Sequence, residues 1–446
     1  MRKIDVNQVI DDARFNKFHW RVLFWSTLIL IFDGYDLVVY GVVLPSLMNE
    51  WKLTPVQAGT LGSCALFGMM FGALILGPLA DKIGRRRVIA GGVVLFSIFT
   101  VLTGFATDTT QFGICRFIAG FGIGGVMPNA VALISEFAPK KLRSTLVAIM
   151  FSGYSVGGML SAGLGVYLLP TQGWQSVFYF AAVPLILLPF ILQALPESVL
   201  FTVRKGQVEK AQEILQRIEP SYIPRSDDDL SVSKVEASKG GVMQLFSEGR
   251  MASTLLLWAS CFCCLLMIYA LSSWLPKLMI NAGYGLGSSI MFLMILNLGA
   301  IVGAIGGGWL GDRFQLKNVL VVLFIIAAVS ISSLSLNPPT AVLYFLVAAA
   351  GASTIGAQIL AWAYVAQFYP AAVRSTGLGW ASAVGRTGAI VGPMLGGFLL
   401  GAELPLHYNF IAFAIPGAVA ALAMMFVHSR QNQRQVSMTG KAVLPE

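Results

Sequence analysis

The chain has 446 residues, is 56% hydrophobic and only 11% charged, and carries a formal net charge of +9. A soluble globular protein of this length could not cover that much apolar surface, so the composition excludes one. The positive charge does not point to nucleic acid either. Of the 30 Lys and Arg, all but Lys52, Lys277, Arg116 and Arg386 fall in the N-terminal arm, alternate loops and the C-terminal tail. That is the distribution of a multi-pass membrane protein with both termini in the cytoplasm.

In chain order, residues 1–19 form a polar arm. Asp5, Asp11 and Asp12 alternate there with Arg14 and Lys17, the pattern of a short surface helix. About 20 apolar residues cross a bilayer core, and on that measure twelve spans follow. They cover residues 20–48, 57–80, 86–106, 110–135, 144–168, 173–195, 251–279, 288–311, 318–336, 339–366, 375–400 and 405–428. The first is too long for a cleaved signal peptide and reads as a retained span. Residues 20–196 thus form one six-helix bundle and 251–428 a second. The fold expected is an all-α membrane protein of two pseudo-symmetric bundles.

Between the bundles, residues 197–250 read as a cytoplasmic linker. Gln207–Arg217 is an amphipathic helix with Val208, Ala211, Ile214, Leu215 and Ile218 on one face. Residues 220–241, with Asp227-Asp228-Asp229 and many serines, read as flexible. Residues 429–446 form a polar cytoplasmic tail.

The bundles are copies of one unit. Gly77-Pro-Leu-Ala-Asp81 is repeated by Gly308-Trp-Leu-Gly-Asp312 at a shift of 231 residues (312 − 81), and Pro139-x-x-x-Arg143-Ser-Thr by Pro370-x-x-x-Arg374-Ser-Thr at the same shift (374 − 143). Parallel repeats of this kind are transporter architecture.

A charge at the bilayer centre costs about 2.5–3.5 kcal/mol on insertion scales, so each one needs a reason. Span 1 holds Asp33-Gly34-Tyr35-Asp36. A spacing of three puts both carboxylates on neighbouring parts of one helix face, with Tyr40 on the same side. Two carboxylates in a poorly solvated site titrate as a coupled pair, which suits a proton carrier. Gly34 between them weakens the helix and allows bending. The alternative is a static ion pair that ties span 1 to a neighbour. Arg116 in span 4 is the expected partner; it cannot deprotonate, and it can hold a carboxylate or a substrate anion. Arg386 in span 11 lies near mid-membrane, while Asp312 and Glu403 fall near the two membrane faces. Arg386 is therefore a candidate anion site, the alternative being a pairing with main-chain carbonyls or with Asp33 or Asp36. The shift of 231 maps Asp33 onto Cys264 and Arg386 onto Ser155, so the acids and the lone cation lie in different copies.

Gly77, Asp81, Arg85, Arg86, Glu136, Arg143, Asp312 and Arg374 gather at the cytoplasmic ends of the spans. Their repetition points to a gating network that breaks and reforms in a transport cycle. The five cysteines lie in apolar spans without a neighbouring histidine, so packing is expected rather than metal or disulfides. Gly120-x-Gly122-x-Gly124-Gly125 has no preceding strand and is not a dinucleotide loop. It serves close helix approach instead. His19, His407 and His428 fall near span ends as interfacial residues.

The Gly77–Arg87 loop, its copy at 308–313, the run from Arg116 through Gly124, and Pro196-Glu-Ser198 after span 6 resemble the major facilitator superfamily over nearly the whole chain. Asp33-Gly34-Tyr35-Asp36 is similar to the signature of its aromatic acid:proton symporters. The arm and Gly385-Arg386-x-Gly388-Ala-Ile-x-Gly392-Pro393 are similar to benzoate-type members. The resemblance implies proton-coupled uptake of benzoate-like acids, with Asp33, Asp36, Asp81 and Arg116 important. The second-copy loop departs from the pattern: Phe314-Gln-Leu-Lys317 stands where Gly-Arg-Arg would end it.

The residues themselves favour an apolar ring bearing one carboxylate, because span 7 is nearly apolar from Cys261 to Trp274. Tyr40, Phe67, Tyr154, Tyr269, Trp274, Trp362 and Tyr364 are candidates to flank the ring. Asn129, Asn297 and Gln358 are candidates to hydrogen-bond it. No cofactor, metal or nucleic acid is expected, and a monomer in the inner membrane suffices. Efflux by the same fold, or sensing without transport, are the alternatives. An enzyme is the least supported, since no nucleophile, metal cluster or cofactor loop is present.

Overall fold

The computed structural model describes residues 2–225, 228–231, 242–247, 249–336, 338–370 and 373–428, and the backbone alone at Lys3, Ser144, Asp312 and Ser375. Strand β1 (Arg2–Asp5) and helix α1 (Val6–Asp12) precede five long helices: α2 (Lys17–Trp51), α3 (Pro55–Ile83), α4 (Arg85–Thr103), α5 (Thr109–Phe137) and α6 (Arg143–Gln172). The sixth apolar segment is interrupted. Helix α7 (Gln175–Tyr179) passes through a 3-10 turn at Phe180–Ala182 into α8 (Val183–Ala194). After α9 (Val199–Arg204), α10 (Val208–Ile218) and strand β2 (Asp228–Ser231) come α11 (Met251–Asn281), α12 (Leu286–Arg313) and α13 (Leu316–Ser333). Helices α14 (Thr340–Gly351) and α15 (Ala357–Phe368) form one rod through a π-helical turn at Ala352–Gly356, followed by α16 (Arg374–Gly401) and α17 (Leu406–Phe426). Twelve segments among the described residues are long and apolar enough to cross a membrane, as the sequence leads one to expect.

Local chemistry sets the helix starts. Asn16 opens α2 with a capping box: its side chain accepts from Phe18 N–H, and its own N–H donates to His19 Nδ1 at 3.2 Å. His19 is therefore not an interfacial residue as expected, but a buried part of the cap. Thr54 and Gln57 cap α3 in the same way, with Pro55 at the first helical position.

The 231-residue repeat extends to helix boundaries and to main-chain contacts. Pro55, Arg85, Thr109, Arg143 and Gln175 begin helices; so do Leu286, Leu316, Thr340, Arg374 and Leu406, each 231 residues on (286 − 55). A methyl group on Gly68 would overlap the carbonyl of Phe117, and one on Gly299 that of Ala348. Gly157 rests on the carbonyl of Ile31, and Gly388 on that of Phe262. In each pair the second contact is the first shifted by 231 (299 − 68 and 348 − 117; 388 − 157 and 262 − 31). These seats let backbones touch, the usual route to helix association without a hydrophobic drive. Gly34 belongs with them: the main chain of Tyr154 in α6 lies directly against it. The helix is continuous across Gly34 from Lys17 to Trp51.

The chain divides into two compact units. One holds Met1–Lys234, Ser272–Leu298 and Pro393–Leu404; the other holds Val235–Leu271, Gly299–Gly392 and Pro405–Glu446. Within the first, Gly41 packs on Ser272, Gly59 on Pro393 and Gly158 on the Asn297 amide. Helix α2 is its interior rod, with 78% of its apolar window buried against 33% for Gln175–Ala194. Asp33 and Asp36 therefore lie inside protein and not against lipid.

The linker is more ordered than its composition suggests. Strand β2 pairs in parallel with β1, Arg2 opposite Asp228 and Asp5 opposite Ser231. Residues 228–231 are thus a correction to the flexible reading of 220–241; 226, 227 and 232–241 lie outside the described residues. Helix α10 buries Ala211, Ile214, Leu215 and Ile218 as expected, but leaves Val208 exposed.

Candidate functional site

Three side chains from three helices meet inside the first unit. Asp36 of α2, Arg116 of α5 and Thr100 of α4 are all at most 2% exposed. Arg116 Nη1 donates to Asp36 Oδ1 at 2.9 Å and to Oδ2 at 3.0 Å, and Nη2 donates to the main-chain carbonyl of Asp36 at 2.9 Å. The Thr100 hydroxyl donates to Oδ1. The Phe178 ring lies 5.9 Å from the guanidinium carbon on another side. Arg116 and Asp36 thus meet as opposite charges where water cannot reach them, with the remaining carboxylate contact supplied by a hydroxyl. Asp33, one turn earlier, is fully buried. The sequence pointed to Asp36 and Arg116; Thr100 was missed, because a threonine in an apolar span carries no pattern of its own.

The second copy supplies an internal control. At a shift of 231, Asp36, Arg116 and Thr100 become Met267, Val347 and Ile331, all fully buried. The same helix packing is filled there by apolar side chains. The repeat can therefore fill this packing with apolar side chains, and replacing a buried ion pair by apolar residues of similar volume is often neutral or stabilising.

A second polar cluster closes one end of the first unit. Arg85 pairs with Glu136. Arg143 Nη2 reaches Asp11 Oδ1 of the arm at 2.5 Å and the carbonyl of Ala138 at 3.2 Å. These four line a cavity of about 340 Å³ together with Asn7, Ile10 and Ser135. Arg86 donates to the Leu192 carbonyl. Glu197 Oε1 accepts from the N–H groups of Arg85 at 2.8 Å and Arg86 at 3.2 Å, capping α4, whose Gly84 has no side chain to do so. Glu197 was not among the expected site residues; no local pattern ties it to a helix that starts 112 residues earlier. Asp81 and Arg374 are exposed, and a methyl group on Gly77 or Gly308 would meet nothing within 4 Å. The Asp312 side chain lies outside the described residues.

The expected substrate residues fall in several places. Tyr40 is buried; its hydroxyl donates to the Ala58 carbonyl and its ring lies 6.1 Å from Phe112. Trp274 Nε1 donates to the Pro393 carbonyl at 2.8 Å. Asn129 Nδ2 donates to Gly125 O at 2.7 Å, and Asn297 Nδ2 to Leu293 O at 2.8 Å. Tyr154 is half-buried in α6. In the second unit, Arg386 of α16 and Gln358 of α15 are half-buried, and Gly385 and Gly388 on either side of Arg386 press on α11. Of the ring-flanking candidates, Tyr364 is buried, Tyr269 and Trp362 are half-buried, and Phe67 is 39% exposed. Among the described residues no group of His, Cys, Asp and Glu is placed to hold a metal ion.

Known proteins resemble this chain closely. A family model described as Major Facilitator Superfamily matches residues 26–382 and 297–444. The chain is 50% identical over 437 residues to a benzoate transport protein of Acinetobacter baylyi, covering 96% of this chain and 94% of that one. It is 36% identical over 433 residues to a 4-hydroxybenzoate transporter of the same species, again covering 96% and 94%. Among solved structures it is similar to a xylose transporter of E. coli in a partially occluded inward-open conformation, with TM-score 0.73, 18% identity, and coverage of 93% of this chain and 99% of that one. At that identity the last likeness speaks to fold alone.

Proposed function

We propose that this chain, which belongs to the Major Facilitator Superfamily, imports a small aromatic carboxylate together with a proton, benzoate first and hydroxybenzoates next. It is a multi-pass membrane transporter, not an enzyme. The observation that carries the coupling is the Asp36–Arg116–Thr100 triad, buried in one copy and replaced by Met267, Val347 and Ile331 in the other. A charged cluster in a packing that the other copy fills with apolar side chains is best explained by chemistry. The relatives' substrates support the aromatic acid, and so does the apolar course of α11 from Cys261 to Trp274.

In the proposed cycle the Asp33/Asp36 pair takes a proton from outside. A neutral Asp36 no longer balances Arg116, so a positive charge becomes available to an incoming anion. Arg386 serves the substrate carboxylate; Tyr40, Tyr154 and Trp274 border the ring; Asn129, Asn297 and Gln358 read its polar substituents. Arg85 with Glu136, and Arg143 with Asp11, hold the inner gate together with Gly77, Asp81, Arg86, Asp312 and Arg374. They part to release both ligands. One proton with one monoanion carries no net charge, so the pH gradient drives accumulation at about 1.4 kcal/mol per unit. The proposed setting is a monomer in the inner membrane with both termini cytoplasmic.

The test is uptake of labelled benzoate into proteoliposomes with and without an imposed inward proton gradient. Accumulation that needs the gradient and is competed by unlabelled benzoate is the expected result. Exclusion of benzoate from energised vesicles would turn the reading to efflux. Binding without flux would turn it to a sensor.

A further inference from the structure

We infer that Thr100 sets the pH range over which Asp36 exchanges its proton, as a positioning residue for the coupling step; this rests on the proton-coupled reading above. Several buried hydroxyls on these helices satisfy themselves on their own helix four residues back. Thr103 donates to Phe99 O at 2.7 Å, Ser330 to Ile326 O at 2.6 Å, Ser353 to Ala349 O at 2.6 Å and Thr354 to Ala350 O at 2.6 Å. Thr100 could do the same with Phe96. It donates instead across to Asp36 Oδ1, 64 residues away in sequence. Its counterpart in the second copy, Ile331, has no carboxylate to serve and no hydroxyl.

The two oxygens of Asp36 are thereby made unequal. Oδ1 accepts from both Thr100 and Arg116, whereas Oδ2 accepts from Arg116 Nη1 at the longer distance of 3.0 Å. A proton arriving at Oδ2 displaces a single contact, while Thr100 keeps the carboxyl in place through Oδ1. A hydroxyl also accepts, so Thr100 can remain bonded to Asp36 in either protonation state. Among the described residues, the following charged and titratable groups surround the pair. Arg116 is the facing cation from α5, and Cys64 of α3 and Cys115 of α5 lie within its electrostatic reach. Asp33, Tyr35 and Tyr40 share α2, the Tyr35 hydroxyl donating to Val177 O at 2.6 Å. Helix α6 brings Tyr154 against Gly34, and α7 brings the uncharged ring of Phe178.

Removing a donor from a buried carboxylate makes its charged form costlier. A hydrogen bond to a charged group corresponds to roughly a tenfold change in proton affinity, about one pH unit. The experiment compares wild type, Thr100→Val and Thr100→Ser in proteoliposomes, measuring gradient-driven benzoate uptake against external pH and benzoate counterflow at one fixed pH. Thr100→Val should move the half-maximal pH of uptake up by about one unit and keep counterflow, while Thr100→Ser keeps the wild-type profile. Should the valine variant fail to insert, Thr100→Ala makes the same comparison. An unmoved profile in Thr100→Val or Thr100→Ala, or Thr100→Ser shifting as far as they do, overturns the role of Thr100 while leaving symport intact. A wild type whose uptake ignores the gradient overturns symport, and this inference with it.

Discussion

Arg116 holds Asp36 at two chemically distinct places: Nη1 on the carboxylate at 2.9 and 3.0 Å, and Nη2 on the main-chain carbonyl at 2.9 Å. On the proposed reading, a proton on Asp36 would weaken the first grip and leave the second. Arg116 would then stay anchored to α2 while its charge becomes available, separating the electrostatic change from the packing.

That separation gives the first prediction. Arg116→Val alone strands a buried carboxylate and should cost about 3–5 kcal/mol of stability. The triple variant Asp36→Met, Arg116→Val, Thr100→Ile copies the second copy's apolar set and should melt in detergent within a few degrees of wild type. It should show no gradient-driven uptake. A triple variant as unstable as Arg116→Val would mean that the pair serves the fold, and the coupling reading would lose its main support.

Gly157 and Gly77 should respond in opposite ways to one added methyl. The methyl of Gly157→Ala would meet the Ile31 carbonyl, and in Gly388→Ala the Phe262 carbonyl. Each variant should lose about 1–3 kcal/mol, the range of overpacking in a filled interior. Gly77→Ala meets nothing within 4 Å and should keep its melting temperature. Loss of uptake in a stable Gly77→Ala protein would show that this position is crowded only at another stage of the cycle, as a gate requires.

Much of this was legible in the sequence because the bilayer enforces a simple code. Apolar length fixed the twelve spans, and the repeated Asp81 and Asp312 loops fixed the internal copy. The rarity of charge in apolar segments singled out Asp36 and Arg116. Thr100 and Glu197 were not legible. A threonine is cheap to bury when its hydroxyl bonds to its own helix, so its sequence context cannot tell whether it reaches across. Glu197 caps a helix that starts 112 residues earlier, and only the folded chain brings them together. The ordering of residues 228–231 was hidden for a similar reason: their strand partner is at the far N-terminus.

Glu197 should matter for stability first. Its Oε1 accepts from Arg85, Arg86 and Ser198 N–H groups at 2.8, 3.2 and 3.0 Å, where Gly84 cannot cap. Glu197→Ala should cost about 1–2 kcal/mol, within the range of lost N-caps. Glu197→Gln retains an acceptor and should lose less than half as much. Equal losses in thermal unfolding would argue that the charge, rather than the cap, carries the effect.

The arm and linker give a prediction in pH. Arg14 N–H donates to Glu219 Oε2 at 3.1 Å, Asn16 Nδ2 to Ile218 O at 2.8 Å, and the Tyr222 hydroxyl to Asp228 Oδ2 at 2.7 Å. Burial, then the neighbouring Asp228, pushes the Tyr222 hydroxyl up to about 12. Desolvation acts against the Asp228 charge, but the Tyr222 hydroxyl, the Arg225 N–H and the charges of Arg2 and Arg225 hold its carboxyl below the ordinary range. A carboxyl lowered in the folded state contributes stability above its ordinary value, near 3.8, and loses it as pH falls through the folded value. The β1–β2 pairing should therefore be intact at pH 7 and open on acidification below about pH 4. Hydrogen exchange at residues 228–231 reads this directly: protection should fall with acid in wild type, and be low and nearly independent of pH in Asp228→Asn. The same acid loss in both proteins would place the sensitivity elsewhere, with Glu219, lowered first by the Ser221 hydroxyl, the next group to replace.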